Sequence, residues 1–110
     1  MAEGSARARI AALVGRLAPG GPAAEQAKAA LALARLANDD SQNRDTVREC
    51  GGVAALVGLL APGGPAAVQF EAARALTCLT FKNAPNKGSV RECGGFAALV
   101  ALLADRKSVV

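Results

Sequence analysis

The chain repeats itself with a period of 43 residues, and this period constrains the fold more than any other feature. Ile10, Val53 and Phe96 are each followed by the tetrapeptide Ala-Ala-Leu-Val. Two further motifs recur at the same spacing: Pro-Gly-Gly-Pro at 19–22 and 62–65, and Val-Arg-Glu-Cys-Gly-Gly at 47–52 and 90–95. A fixed period in this range is typical of one supersecondary unit stacked on copies of itself. Such arrays present extended surfaces to partners, so the period favours a binding module over an enzyme.

The pattern within each period predicts three helical segments. The first is short, over 43–50 and 86–93, with an asparagine as N-cap and a glycine after its end. The second runs from about Val53 to Ala61, is apolar over much of its circumference and stops at Pro-Gly-Gly. The third runs from Pro22 or Pro65 to Ala37 or Thr80, with proline expected as its first residue. Because the chain is rich in Ala and Leu and has only three aromatic residues, these helices should pack closely.

These residues resemble the armadillo repeat family. Residues 49–60 resemble the family's junction, in which a short helix ends at glycine before a second helix of the form I-x-x-L-V-x-L-L. Residues 29–37 and 72–80 resemble the third helix, which contains A-L-x-N-L. HEAT repeats have a similar period, but the Glu-Cys-Gly-Gly junction and the three-helix layout favour armadillo. The resemblance covers nearly the whole chain and implies an all-α superhelical solenoid of period 43.

The resemblance also implies a division of the chain and a binding surface. Residues 1–9 would be an N-terminal extension, 10–52 the first repeat with its junction, 53–95 the second, and 96–110 a partial third. In this family the third helices line a concave groove that receives an extended peptide. The predicted groove stripe is Glu25, Lys28, Leu31 and Arg35, followed by Val68, Glu71, Arg74 and Cys78, and its candidate partner-binding residues are Lys28, Leu31, Arg35, Glu71, Arg74 and Cys78.

Two residue types of the peptide-reading members are missing from this stripe. Their groove asparagine falls on Arg35 and Cys78, and their groove tryptophan falls on Leu31 and Arg74. An amide both donates and accepts, whereas a guanidinium only donates. This difference disfavours the alternative function, a nucleocytoplasmic transport adaptor of the import-receptor type. The favoured function is a non-catalytic protein-interaction scaffold that binds a partner segment along the third helices. One hypothesis is that Arg35 and Arg74, helped by Lys28, bind carboxylates or a phosphorylated segment of the partner; the competing interpretation is that these are ordinary solvated charges.

Charge and composition exclude several other functions. The net charge is +4 with dispersed basic residues and few aromatics, so we expect a protein or peptide partner, favoured to be acidic, and no nucleic acid. Histidine is absent and no catalytic or phosphate-binding motif occurs, which predicts no enzyme, no catalytic residue and no cofactor. The cysteines Cys50, Cys78 and Cys93 lack metal-ligand spacing, and Cys50 and Cys93 should be small buried residues too far apart for a disulfide. We expect no signal peptide, no membrane insertion and a cytoplasmic or nuclear location.

Both ends of the predicted array are open. The leucines expected in the stacked interior are Leu13, Leu17, Leu33, Leu36, Leu56, Leu60, Leu76, Leu79, Leu99 and Leu103. The terminal ones, with Val14 and Leu102, should be partly uncovered because solenoids need about three repeats and polar caps. We therefore expect either a fragment of a longer array or head-to-tail self-association. The last residues, Ser108-Val109-Val110, have the form of a PDZ-domain ligand.

Overall fold

The computed structural model describes residues 2–105, with side chains described from residue 6 to residue 104. This part of the chain forms seven α-helices without a strand: α1 (Ala2–Gly15), α2 (Ala23–Asn38), α3 (Ser41–Glu49), α4 (Gly52–Gly58), α5 (Ala66–Thr80), α6 (Ala84–Glu92) and α7 (Gly95–Asp105). The predicted all-α class is confirmed. No helix among these residues combines the length and the apolar character that a membrane crossing needs.

The seven helices follow the order that the repeat predicts. Helices α1, α4 and α7 are second-type helices, α2 and α5 are third-type helices, and α3 and α6 are the short first-type helices. The most extensive packing joins α2 to α5, so the third-type helices of successive repeats lie side by side. The core follows this row and holds fully buried leucines at Leu17, Leu33, Leu56, Leu60 and Leu79. The division into repeats at 10–52, 53–95 and 96–110 stays a prediction.

Helix α1 begins well before the first predicted repeat position. The residues predicted as an extension before Ile10 are helical from Ala2 and continue directly into α1. In the next repeat, Gly51 adopts φ +82° and separates the short helix from α4. Gly51 and Gly52 correspond, 43 positions earlier, to Ala8 and Arg9. Alanine and arginine do not adopt the left-handed backbone conformation as readily as glycine does. Without the turn, the chain stays in one straight helix.

The predicted N-caps were placed three residues too late. The observed caps are Asp40 for α3 and Asn83 for α6. The side chains of Asn43 and Asn86 instead donate hydrogen bonds of 2.8 Å to the carbonyls of Leu36 and Leu79, respectively. These carbonyls lie in the last turn of the preceding third-type helix, where no intrahelical donor reaches them. The two asparagines therefore close the preceding helix and do not start their own.

The Pro-Gly-Gly-Pro turns hold the second-type helix to the third. Pro22 and Pro65, predicted as the first helical residues, are the N-caps of α2 and α5, so each helix begins one residue later than predicted. Gln26 donates from Nε2 to the carbonyl of Ala18 at 2.8 Å, and Gln69 makes the same bond to Ala61 at 2.7 Å. Both glutamines are buried, so each amide satisfies a turn carbonyl that packing removes from water.

The Gly-Gly junctions confirm the tight turn that the sequence predicts. A Cβ on Gly52 would lie 2.4 Å from Cγ1 of Val47, and one on Gly95 would lie 2.5 Å from Cγ1 of Val90. The cysteines before these junctions differ from their prediction, because Cys50 is half-buried and Cys93 is exposed. All three thiols are free.

The structure confirms most of the predicted interior, including the partial exposure expected at its C-terminal end. Leu13, Leu36 and Leu99 are partly buried, and the other predicted leucines except Leu103 are buried. Leu17 was expected to be partly uncovered, but α2 follows α1 and it is fully buried. Leu103 is 72% exposed because no described helix follows α7. Phe70 of α5 is 60% exposed for the same reason.

Candidate functional site

The structure brings four of the six predicted partner-binding residues into one cleft. The cleft lies between α2 and α5 and has a volume of about 190 Å³. Its lining residues are Leu31, Ala34, Arg35 and Asn38 from α2 with Arg74 and Cys78 from α5. The repeat explains this juxtaposition, since residues 31 and 74 are equivalent, as are 35 and 78, and the two helices pack side by side.

Two cationic side chains dominate the cleft. Arg35 and Arg74 are both exposed, and neither makes a salt bridge within the part of the chain that the structure describes. A guanidinium carries a fixed fork of donors that matches the geometry of a carboxylate or a phosphate. The two side chains come from successive third-type helices, so a ligand that contacts both must cross the helix row.

Lys28 and Glu71 are predicted site residues that the structure leaves outside the cleft lining. Lys28 is exposed on α2, and Glu71 is half-buried at the equivalent position of α5. The Oε1 atom of Glu71 is buried and has no hydrogen-bond partner among the described residues. A buried acceptor without a donor costs free energy. The lysine and the glutamate therefore flank the cleft and contribute charge near it, without forming its walls.

Asn38 is the cleft residue that sequence reasoning missed. Its Oδ1 accepts a hydrogen bond from Sγ of Cys78 at 3.9 Å, which joins α2 to α5 within the cleft lining. The third helix was predicted to end at Ala37, whereas Asn38 is the last residue of α2. Its spacing of three residues from Arg35, on one helix face, is the signal that could have found it. Its amide can both donate to and accept from a peptide bond.

The predicted groove stripe is wrong at Val68. Glu25 is exposed on α2, whereas Val68, the equivalent residue of α5, is only 2% exposed. Helix α5 has α2 packed beside it, whereas no third-type helix precedes α2 among the described residues. The position therefore belongs to the contact between third-type helices and not to the groove.

A polar network that starts at Arg44 of α3 supports the end of α2, which lines the cleft. Arg44 is buried. It donates from Nε to the carbonyl of Ala37 at 2.7 Å and from Nη2 to the carbonyl of Asn38 at 2.8 Å. Its guanidinium also lies over the ring of Phe81, with Cζ 5.4 Å from the centroid. These contacts fix the end of α2, and with it Asn38, against the loop that follows α5.

The same network continues through Asp45. Its Oδ1 accepts from Asn83 at 2.9 Å and from Arg48 at 3.1 Å, and these hydrogen bonds hold the pKa of Asp45 below its usual range. Arg48 also donates to Oδ1 of Asn86 at 2.8 Å. These contacts make Arg48 half-buried.

The remaining predicted motif is the C-terminal Ser108-Val109-Val110, which lies outside the described residues.

The comparisons with known proteins concern an inner part of the chain. Residues 40–80 match the family model of the Armadillo/beta-catenin-like repeat. No curated protein and no solved structure is significantly similar to the chain. The matched span begins at Asp40, the N-cap of α3, and ends at Thr80, the last residue of α5. Helices α3, α4 and α5 therefore match an armadillo repeat in both sequence and helix order, as the sequence resemblance predicted.

Proposed function

We propose that the chain is a non-catalytic protein-interaction scaffold whose α2–α5 cleft binds an extended acidic segment of a partner protein. One observation carries the proposal: the fold places two exposed guanidinium groups, Arg35 and Arg74, in one cleft beside the amide of Asn38. Charge-assisted hydrogen bonds from arginine to carboxylate or phosphate are among the stronger polar contacts in proteins. Arginine clusters are a recurring means of recognising acidic and phosphorylated motifs.

The shape of the cleft also favours a peptide ligand. Its volume of about 190 Å³ is below the range of about 300–1,000 Å³ that is usual for sites that enclose small molecules. Its walls come from two successive helices of a row, so the surface is long in the direction that crosses the helices. A segment of chain can follow this direction and place successive side chains on Arg35 and Arg74.

Two alternatives fit the cleft less well. A basic peptide of the type that import receptors bind would meet Arg35 and Arg74 with charge of the same sign, which disfavours a transport adaptor. An enzyme would need a base beside Cys78, the only nucleophile in the lining, and the chain has no histidine. Three free thiols support a reducing compartment, and we infer a cytoplasmic or nuclear location from them.

The test is a binding titration with matched charge variants. The probes are a fluorescein-labelled peptide of alternating glutamate and serine and a phosphorylated version of it, measured by fluorescence anisotropy. The double variant Arg35→Ala/Arg74→Ala should bind at least about tenfold more weakly. The control is Arg16→Ala/Arg91→Ala, which removes the same charge from exposed positions outside the cleft.

The control separates a site from general attraction. If the cleft is the binding site, the control variant should bind as the wild type does at physiological ionic strength, since distant surface charges are screened there. Equal losses in the two double variants would show that only net charge matters and would overturn the proposal. A lysine-rich peptide that binds more tightly than the acidic one would overturn it in favour of the transport adaptor.

A further inference from the structure

An exposed phenylalanine lies next to the cleft, at the end of α5. Phe81 is the C-cap residue of α5 and is 56% exposed. It does not line the cleft itself, but Arg44 connects it to a residue that does. Arg44 donates from Nη2 to the carbonyl of Asn38, and its Cζ lies 5.4 Å from the centroid of the Phe81 ring. The ring therefore borders the cleft on the side of Asn38.

The repeat shows that position 81 is a surface position of the array. Its equivalent in α2 is Asn38, which is exposed and lines the cleft. Asn38 keeps this exposure although α5 packs beside α2. The exposure of Phe81 therefore does not depend on where the described helices end. A single exposed apolar residue is common on a protein surface, and this one gains meaning from its neighbours.

Two cations and an unusual backbone conformation surround the Phe81 ring. Nζ of Lys82 lies 5.3 Å from the ring centroid, and Arg44 lies at a similar distance, both within the range of cation–π contacts. Lys82 has a φ of +47° and is the only non-glycine residue with a positive φ in the described part of the chain. The equivalent residue, Asp39, has a φ of −110°. Non-glycine residues in the left-handed region cluster at ligand-binding sites, so this turn deserves a functional interpretation.

Phe81 extends the set of equivalent positions that form the cleft. On α5, Cys78 lies four residues after Arg74 and three residues before Phe81, so the two side chains stand on opposite sides of it. A segment that crosses the helix row from Arg35 passes over Cys78, because these two lining residues are equivalent. Successive side chains of an extended chain point to opposite sides. One side chain of the segment can therefore face Arg74 while its neighbour in sequence faces Phe81.

We propose that Phe81 is an apolar subsite of the cleft, and that the partner segment carries a large aliphatic side chain next to the acidic residue that binds Arg74. This inference rests on the proposed function, because the same segment must bind the two arginines. Contact with a leucine would remove apolar surface of both side chains from water.

The charges around the ring define the rest of the partner's chemistry. A cationic side chain is disfavoured on Phe81, since Lys82 and Arg44 already lie against the ring. Lys82 also adds positive charge next to the subsite, so residues that flank the leucine should be acidic. The recognised segment is then acidic with one large aliphatic residue, and not a purely acidic tract.

The experiment compares two labelled peptides on the full chain by fluorescence anisotropy. One is the alternating glutamate–serine peptide, and the other has its central serine replaced by leucine. We expect the leucine to tighten binding to the wild type by about tenfold. Phe81→Asn should bind the two peptides alike, and asparagine suits this position because the equivalent position 38 carries it.

Phe70→Asn is the matched control, since Phe70 is 60% exposed on the same helix but does not line the cleft. This variant should keep the full preference for the leucine peptide. Far-UV circular dichroism melts check that each variant is folded. A role of Phe81 that is limited to covering Arg44 would change the melts and leave the ratio of the two affinities unchanged.

Three results would overturn the proposal. Equal binding of the two peptides to the wild type would show that no aliphatic side chain is recognised. A preference that survives in Phe81→Asn would place the leucine elsewhere, and one that is lost equally in Phe70→Asn would indicate general apolar attraction. The variant Arg35→Ala/Arg74→Ala separates the two proposals. If it weakens the binding of both peptides but the wild type shows no preference for leucine, only the apolar subsite fails; if it weakens neither, both proposals fail.

Discussion

Helices α4 and α7 begin with the same apolar pattern, but α5 covers α4 and no described helix covers α7 in the same way. Leu60, two residues after the end of α4, is fully buried, and Leu103, the equivalent residue within α7, is mostly exposed. The difference does not come from the starts of the two helices, since each begins at a glycine and continues, after one further residue, with the same Ala-Ala-Leu-Val sequence. It comes from α5, which covers α4 and has no described counterpart over α7. In a solenoid, a repeat position is an interior position only when the next element is present.

The largest expected effect separates these two leucines. Leu60→Ala should lower the free energy of unfolding by about 2–5 kcal/mol, because it leaves a cavity between α4 and α5. Leu103→Ala should change it by less than about 0.5 kcal/mol, since surface truncations away from special contacts cost little. Chemical denaturation followed by circular dichroism measures both values. Equal losses in the two variants would mean that α7 is covered in solution and would break the comparison.

A smaller effect separates the two equivalent asparagines. Asn86 is fully buried, donates to the carbonyls of Arg44 and Leu79 and accepts from Arg48. Asn43 is half-buried, and its side chain makes one hydrogen bond, to the carbonyl of Leu36. Asn86→Ala should therefore cost about 2–3 kcal/mol, as buried acceptors lose their donors, and Asn43→Ala about 1 kcal/mol. The same denaturation measurement checks this order, and a larger loss for Asn43→Ala would contradict it.

The smallest expected effect concerns pH and the polar network of the first-type helices. The pKa of Asp45 is lowered in the folded chain by hydrogen bonds from Asn83 and Arg48. The folded state thus favours the ionised carboxylate, and this contribution is present above the unfolded pKa. It is lost as the pH falls below about 4 and through the lowered value. At position 88, equivalent to 45, α6 has a glycine and cannot make this contact.

The measurement is the unfolding free energy as a function of pH. Asp45→Asn should show a weaker decline than the wild type as the pH falls from about 5 to 2. Glu92→Gln removes an exposed carboxylate of α6 that makes no salt bridge within the described residues, and it serves as the control. A profile for Asp45→Asn that coincides with that of the wild type would show that the network does not contribute.

The sequence predicted the features that depend on the period and missed those that depend on neighbours. The period placed Arg35 and Arg74 on adjacent helices, and their meeting in one cleft follows from it. The burial of Val68 could not be read from its own helix, because the equivalent Glu25 is exposed and only the packing of α2 distinguishes the two. The caps were missed because Asp40 and Asn43 are both good N-cap residues, and the reach of Asn43 to Leu36 is a tertiary contact.

The alanine contact between α2 and α5 determines the distance between the two arginines of the cleft. With little more than methyl groups between them at Ala30, Ala34 and Ala37, the two helix axes can approach to about 8 Å, the short end of the usual range. Arg35 and Arg74 differ by one helical turn in height, about 6 Å over four residues. The path between their positions is then about 10 Å, and an extended chain advances about 3.3 Å per residue. Two acidic residues that bind both arginines at once should therefore lie about three positions apart in the partner. This spacing follows from the small size of the alanines between α2 and α5.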